Sequence, residues 1–187
     1  MDKKLALSLL AGIILGVITG VETLQHAEAR ACPQPTCLEG TEVIPISDRG
    51  YFPQVHEILQ NAESSIHMAV FELKYYESYK NSSANILVND LIEANKRGVE
   101  VKVLVDQFSE ENNAYKILKE AGIEIKEDSE NVTTHAKLVI VDGKIVVLGS
   151  TNLSFYGLEK NNEINVILIS QQAAEYYEKY FWKLWGG

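Results

Sequence analysis

The chain has 187 residues, enough for one ordinary domain with or without a leader and too few for two full domains. Hydrophobic residues make up 46% and charged residues 23%, a globular balance that excludes a disordered chain or a collagen-like repeat. Lys and Arg number 17 against 26 Asp and Glu, and the net charge of -9 excludes nucleic-acid binding by a broad basic field, though not a local cationic site.

Met1-Asp2-Lys3-Lys4 precedes an uncharged apolar run at 5–21, followed by small-residue sites at Ala27-Glu28-Ala29 and Ala29-Arg30-Ala31. Positive start, apolar middle and small-residue end read as a secretory signal. The run is also long enough for a short spanning helix, so residues 1–31 are expected to be either a signal peptide or an N-terminal membrane anchor. In both cases the lysines stay cytoplasmic and the rest is exported, secreted or periplasmic or anchored outside the cytoplasm. Residues 32–40 form a linker with Cys32 and Cys37, which in an oxidising compartment could close a small disulfide loop. Two cysteines cannot build a disulfide scaffold or a four-thiolate zinc site.

The domain is expected over 41–187. Residues 41–47 read as a short strand, and 53–62 as a helix opened by Pro53 with apolar residues at Val55, Ile58 and Leu59. An apolar strand follows at 65–73, then a helix at 84–96 ended by Arg97-Gly98. Residues 99–106 alternate as a strand, 112–121 form a helix closed by Gly122, and 123–126 a short strand. A hairpin spans 134–150, a strand 163–170 and a terminal helix 171–184, whose Tyr176, Tyr177, Tyr180, Phe181, Trp182 and Trp185 read as core packing. This order predicts an α/β layer fold, a mixed β-sheet flanked by helices on both faces.

The hairpin carries the chemistry. Two β-branched runs flank Asp142-Gly143, a strong signal for a two-residue turn. With that loop, Val141 faces Lys144, Ala136 faces Gly149 and His135 lies opposite Ser150. His135, Lys137, Ser150 and Asn152 then share one face, and Ala136, Leu138, Ile140, Ile145 and Val147 the other. An imidazole such as that of His135 can serve as nucleophile or general acid-base near neutrality. Lys137, Asn152 and Ser150 can donate to phosphate oxygens, which equips the cluster to stabilise a transferring phosphoryl group without a metal or cofactor. Asp142, more than about 20 Å of strand away, reads as a turn residue.

His135-x-Lys137, four residues, Asp142, six residues, then Gly149-Ser150-x-Asn152 resembles the HKD motif of the phospholipase D superfamily, with Asp142, Gly143 and Gly149 as structural positions. Asn161-Asn162-Glu163 resembles the family's acidic position. The similarity runs from about residue 41 to the C-terminus. A single motif matches the small nucleases and the anchored nuclease/cardiolipin hydrolase of the superfamily. The resemblance implies a covalent phosphohistidine on His135, with phosphate oxygens held by Lys137 and Asn152, help from Ser150, and Glu163 orienting the imidazole.

One motif implies two chains. While His135 is bonded to phosphorus another acid must protonate the leaving group, and the other histidines read poorly for it. His26 lies in the leader, His56 on a surface helix and His67 in an apolar strand. A homodimer with a composite site is therefore expected. The expected activity is endonucleolytic, on DNA or RNA; the alternatives are hydrolysis of a phospholipid such as cardiolipin and a nucleic-acid-binding module without turnover. Aromatics near the mouth, including Tyr79, Phe155 and Tyr156, could stack unpaired bases or simply pack.

Overall fold

The computed structural model describes residues 38, 40–107, 113–129 and 131–186. The leader and both cysteines lie outside the described residues. Among those described, no helix is long and apolar enough to cross a membrane.

The strands are β1 (Glu42–Ser47), β2 (Ser65–Val70), β3 (Glu100–Val105), β4 (Glu124–Glu127), β5 (Lys137–Val141), β6 (Ile145–Gly149) and β7 (Ile164–Ile169). The helices are α1 (Tyr51–Gln60), α2 (Ser83–Lys96), α3 (Asn113–Glu120), α4 (Phe155–Glu159) and α5 (Gln171–Trp185). The described strands form one mixed sheet in the order β1-β7-β6-β5-β2-β3-β4. β2, β3 and β4 run parallel, and the other pairings are antiparallel.

Both faces of the sheet are covered. On one, Val70, Val103, Val139 and Val147 pack with Val55 and Leu59 of α1 and Leu87 and Leu91 of α2. On the other, Ala69, Leu104, Leu138, Ile140 and Val146 receive Ala173, Ala174 and Phe181 of α5. Burial on two faces explains why the central strands read as continuous apolar runs. Caps set the helix starts: Ser82 accepts from Asn85 N, Ser154 from Gly157 N and Ser170 from Ala173 N. The sequence reading lacked α4, a helix of five residues too short for a periodic signal.

The hairpin differs from expectation by one residue. Val141 pairs with Ile145, Ile140 with Val146 and Leu138 with Leu148, so the loop is Asp142-Gly143-Lys144. Asp142 and Gly143 both take positive φ, 54° and 60°, as the Asp-Gly signal demands. Neighbouring strands draw off the loop's backbone, however. Asp142 N donates to Ser65 O of β2 at 2.9 Å, and Lys144 O accepts from Ser170 N after β7 at 2.8 Å. Continued, this register sets Ala136 against Ser150 and Lys137 against Gly149. Ile145 and Val147 therefore lie on the Val139 face, and Val146 and Leu148 on that of Leu138 and Ile140.

Two further expectations need correcting. In α5 Phe181 is fully buried, but Tyr176, Tyr180 and Trp182 are more than 40% exposed, so the aromatic stripe is only partly core. His56 is half-buried, with Nδ1 2.6 Å from Asp90 Oδ2, rather than free on a surface.

Candidate active site

His135 and Lys137 stand where β5 begins, beside the C-terminal ends of β2, β3 and β6. The chain reaches β5 through fixed backbone bonds. Thr134 N donates to the fully buried Asp106 carboxylate at 2.7 Å, and Phe71 N donates to Ala136 O at 2.9 Å. His135 is exposed, its ring centroid 4.6 Å from that of Phe71. Lys137 is buried, with Nζ 3.2 Å from each imidazole nitrogen, 3.0 Å from His135 O and 5.0 Å from the Phe71 ring centroid. An ammonium only donates, so it favours a ring nitrogen that presents a lone pair. Burial pushes Lys137 below the ordinary lysine range, against the opposing pull of Glu163, Glu72 and Asp106.

Glu163 shares the face of Lys137. Two-residue spacing along β7 puts it with Asn165 and the buried Ile167, on the side that packs with Val139. Its carboxylate accepts from the Ser150 hydroxyl and, at 3.0 Å, from Asn161 Nδ2. Its backbone is clamped by a residue from the other end of the domain: Glu163 N donates to Asp48 Oδ1 at 2.8 Å, and Asp48 N donates to Glu163 O at 2.9 Å. Asp48 holds a φ of 49°, a left-handed conformation that costs a non-glycine residue about 1 kcal/mol.

Pleat alone would now put Ser150 on the face opposite Lys137. The strand ends instead at Gly149, where a Cβ would overlap Asn165 Oδ1 and the Ile164 carbonyl. This close approach lets Asn165 take over the chain: Oδ1 accepts from Thr151 N at 3.2 Å and Nδ2 donates to Thr151 Oγ1 at 2.9 Å. The resulting bend delivers Ser150 to Glu163 despite the shifted register. Asn152 follows, half-buried, its Oδ1 enclosed and without a hydrogen-bond partner among the described residues.

The structure thus gathers two linked groups, His135 with Lys137 and Phe71, and Ser150 with Glu163 and Asn161. The Glu163 charge bears on Lys137, while its oxygens go to Ser150 and Asn161. Asp142 is at the far end of β5. Its carboxylate accepts from the Glu63, Ser64 and Ser65 amides and the Ser64 hydroxyl, tying the hairpin to β2. Gly143 serves the same turn. Among the described residues no group of three His, Cys, Asp or Glu is placed to hold a metal ion. Asp48 and Asp106 had no signal in the motif, because neither is near it in sequence; Phe71 was legible only as one of the aromatics near the mouth, and Asn165, two residues after Glu163, read as an ordinary strand residue.

Residues 55–185 match the family described as cardiolipin synthase, PLD-like domain. The chain belongs to the phospholipase D superfamily. It is 35% identical over 122 residues to a phospholipase D of Rickettsia typhi, a match covering 64% of this chain and 55% of that protein. With the virion nicking-joining enzyme of Vaccinia virus it shares 27% identity over 150 residues, 75% of this chain and 35% of the other. The chain therefore spans roughly half or less of these relatives. The crystal structure of Nuc, a phospholipase D family member from Salmonella typhimurium, has the same fold. It superposes with a TM-score of 0.69 at 24% identity, over 78% of this chain and 95% of Nuc.

Proposed function

We propose that this superfamily member is a phosphodiesterase that cleaves nucleic acid endonucleolytically, through a phosphohistidine on His135. The observation that carries the reading is the buried Lys137 ammonium held 3.2 Å from an exposed imidazole, with the Ser150–Glu163 pair on the same face. In the reaction a ring nitrogen of His135 attacks phosphorus and the bond to the leaving oxygen breaks. Lys137 and Asn152 steady the non-bridging oxygens, and Ser150 is oriented by Glu163. Water then attacks phosphorus on the other side, the P–N bond breaks, and the imidazole is regenerated. No metal ion takes part in this scheme.

The leaving oxygen needs a proton. His56 is engaged by Asp90, and His67 is buried between Glu178 and Glu100. His26 lies outside the described residues. These engagements support a second copy of the chain presenting its own His135 across a two-fold axis, first as acid toward the leaving group and then as base toward water.

Nucleic acid is favoured as substrate by the likeness to a virion nicking-joining enzyme and by the exposed rings of Tyr79 and Tyr156, which offer faces for stacking bases. A second reading, hydrolysis of a phospholipid headgroup, is favoured by the 35% identity to a protein named phospholipase D. The net charge of -9 repels anionic lipid and nucleic acid alike, so it does not choose between the two readings. The test offers the protein, with chelator present, single-stranded DNA, duplex DNA, RNA and phospholipid vesicles. Cleavage of nucleic acid is the expected result, and cleavage of lipid alone establishes the second reading. A requirement for added Mg2+ contradicts the histidine scheme in both.

A further inference from the structure

The loop after β2 and helix α4 flank an open cavity of about 530 Å3, a size suited to a small ligand. Its walls include Tyr79, Lys80 and Phe155, with Glu77 and Glu159. Tyr79 is 68% exposed, yet a fully buried side chain holds its backbone in place. Asn85, in the first turn of α2, accepts from Tyr76 N at 2.8 Å and donates to Tyr76 O at 2.9 Å and Tyr79 O at 3.2 Å. From the other wall Phe155 N donates to the Tyr76 hydroxyl at 3.0 Å, and the Ser83 hydroxyl is bonded to Glu159. A buried amide therefore fixes a surface loop that carries an aromatic ring into solvent, an arrangement core packing does not require.

Phe155 begins three residues after Asn152, at most about 11 Å of extended chain from it. The Lys160 ammonium lies 5.4 Å from the Phe155 ring centroid. We propose that the cavity is a subsite for one unpaired nucleobase of the scissile strand, stacked by Tyr79 and Phe155, with the flanking phosphate near Lys80 and Lys160. The proposal rests on the nuclease reading and names what that site selects. Glu77 and Glu159 decide which part of a nucleotide enters: carboxylates repel a phosphate but accept N–H groups from a base edge. Walls fixed in advance reduce the ordering cost of binding.

The test compares wild type, Tyr79→Ala and Tyr79→Phe on a single-stranded oligodeoxynucleotide and on an oligomer of the same length whose sugars carry no bases. Stacking predicts that Tyr79→Ala loses about 5- to 100-fold in kcat/KM on the normal strand, mostly through KM, and stays within about twofold on the base-free strand. Tyr79→Phe should retain wild-type behaviour on both. Equal losses on the two substrates, or a changed elution volume in size exclusion, make Tyr79 structural and overturn the proposal. Wild-type cleavage of the normal strand that Tyr79→Ala leaves intact overturns the subsite but not the nuclease reading. Failure of wild type to cleave either strand while it cleaves vesicles removes both.

Discussion

Lys137 is the residue whose titration the site exposes to measurement. Burial lowers it, and the surrounding carboxylates only partly restore it, so its folded pKa lies below the ordinary lysine value. Its charge is present below that folded pKa and lost as pH rises through it, so kcat/KM should fall on the alkaline side earlier than an ordinary lysine would dictate. Lys137→Arg, which cannot deprotonate, should remove that limb, while Lys137→Ala should cost about 10²- to 10³-fold in kcat. A pH–rate profile of the three proteins checks both statements. His135, Lys137 and the turn role of Asp142 could be read from spacing, because each has its own chemical signature within one motif. The Asp48 clamp could not: its partner is 115 residues away, and a strained φ leaves no trace in sequence.

At the scale of elements, the hairpin shows where sequence reasoning stops. Asp-Gly correctly announced a turn, but the loop length depended on Ser65 of β2 and Ser170 just after β7, which bond its backbone from outside the hairpin. A shifted register should have scattered the polar groups; the Gly149 approach to β7 brings Ser150 back. Gly149→Ala should therefore abolish activity and destabilise the domain by about 3 kcal/mol or more, since the obstructing atoms are backbone and a buried asparagine. Asp142 makes a complementary case. Burial alone would raise its carboxyl, but the Ser64, Ser65 and Glu63 bonds outweigh it and the folded pKa is lowered. Its stabilisation is full above the unfolded value near 3.9 and lost as pH falls through the folded value. Urea unfolding across that acid range should show Asp142→Asn losing the dependence. His67 on β2 runs the other way. Burial opposes its charge, Glu178 and Glu100 favour it and prevail, and the folded pKa is raised. Its stabilisation is full below the unfolded value near 6.5 and fades as pH rises through the folded value, so His67→Phe should flatten the stability profile there.

For the whole molecule, the mixed sheet, its two packed faces and the family were legible because they depend on apolar periodicity and one dense motif, whereas the strand order is set by long-range pairings that leave no local signal. The second subunit was inferred from chemistry, not from any surface pattern. If one composite site serves two chains, an equal, reassorted mixture of wild type with His135→Ala should show about half the activity of its wild-type content, because heterodimers lack one histidine. Unchanged activity would make the sites independent. An acidic enzyme with few local cations neutralises few phosphates, so its kcat/KM on nucleic acid should fall only shallowly between about 50 and 200 mM salt. The covalent step itself has a more direct readout in the configuration at phosphorus. A chiral phosphorothioate diester is turned over in isotopically labelled water and the product's stereochemistry is determined. Attack by His135 followed by attack by water is two in-line displacements and predicts retention. Inversion would mean that water attacks the diester directly and no phosphohistidine forms.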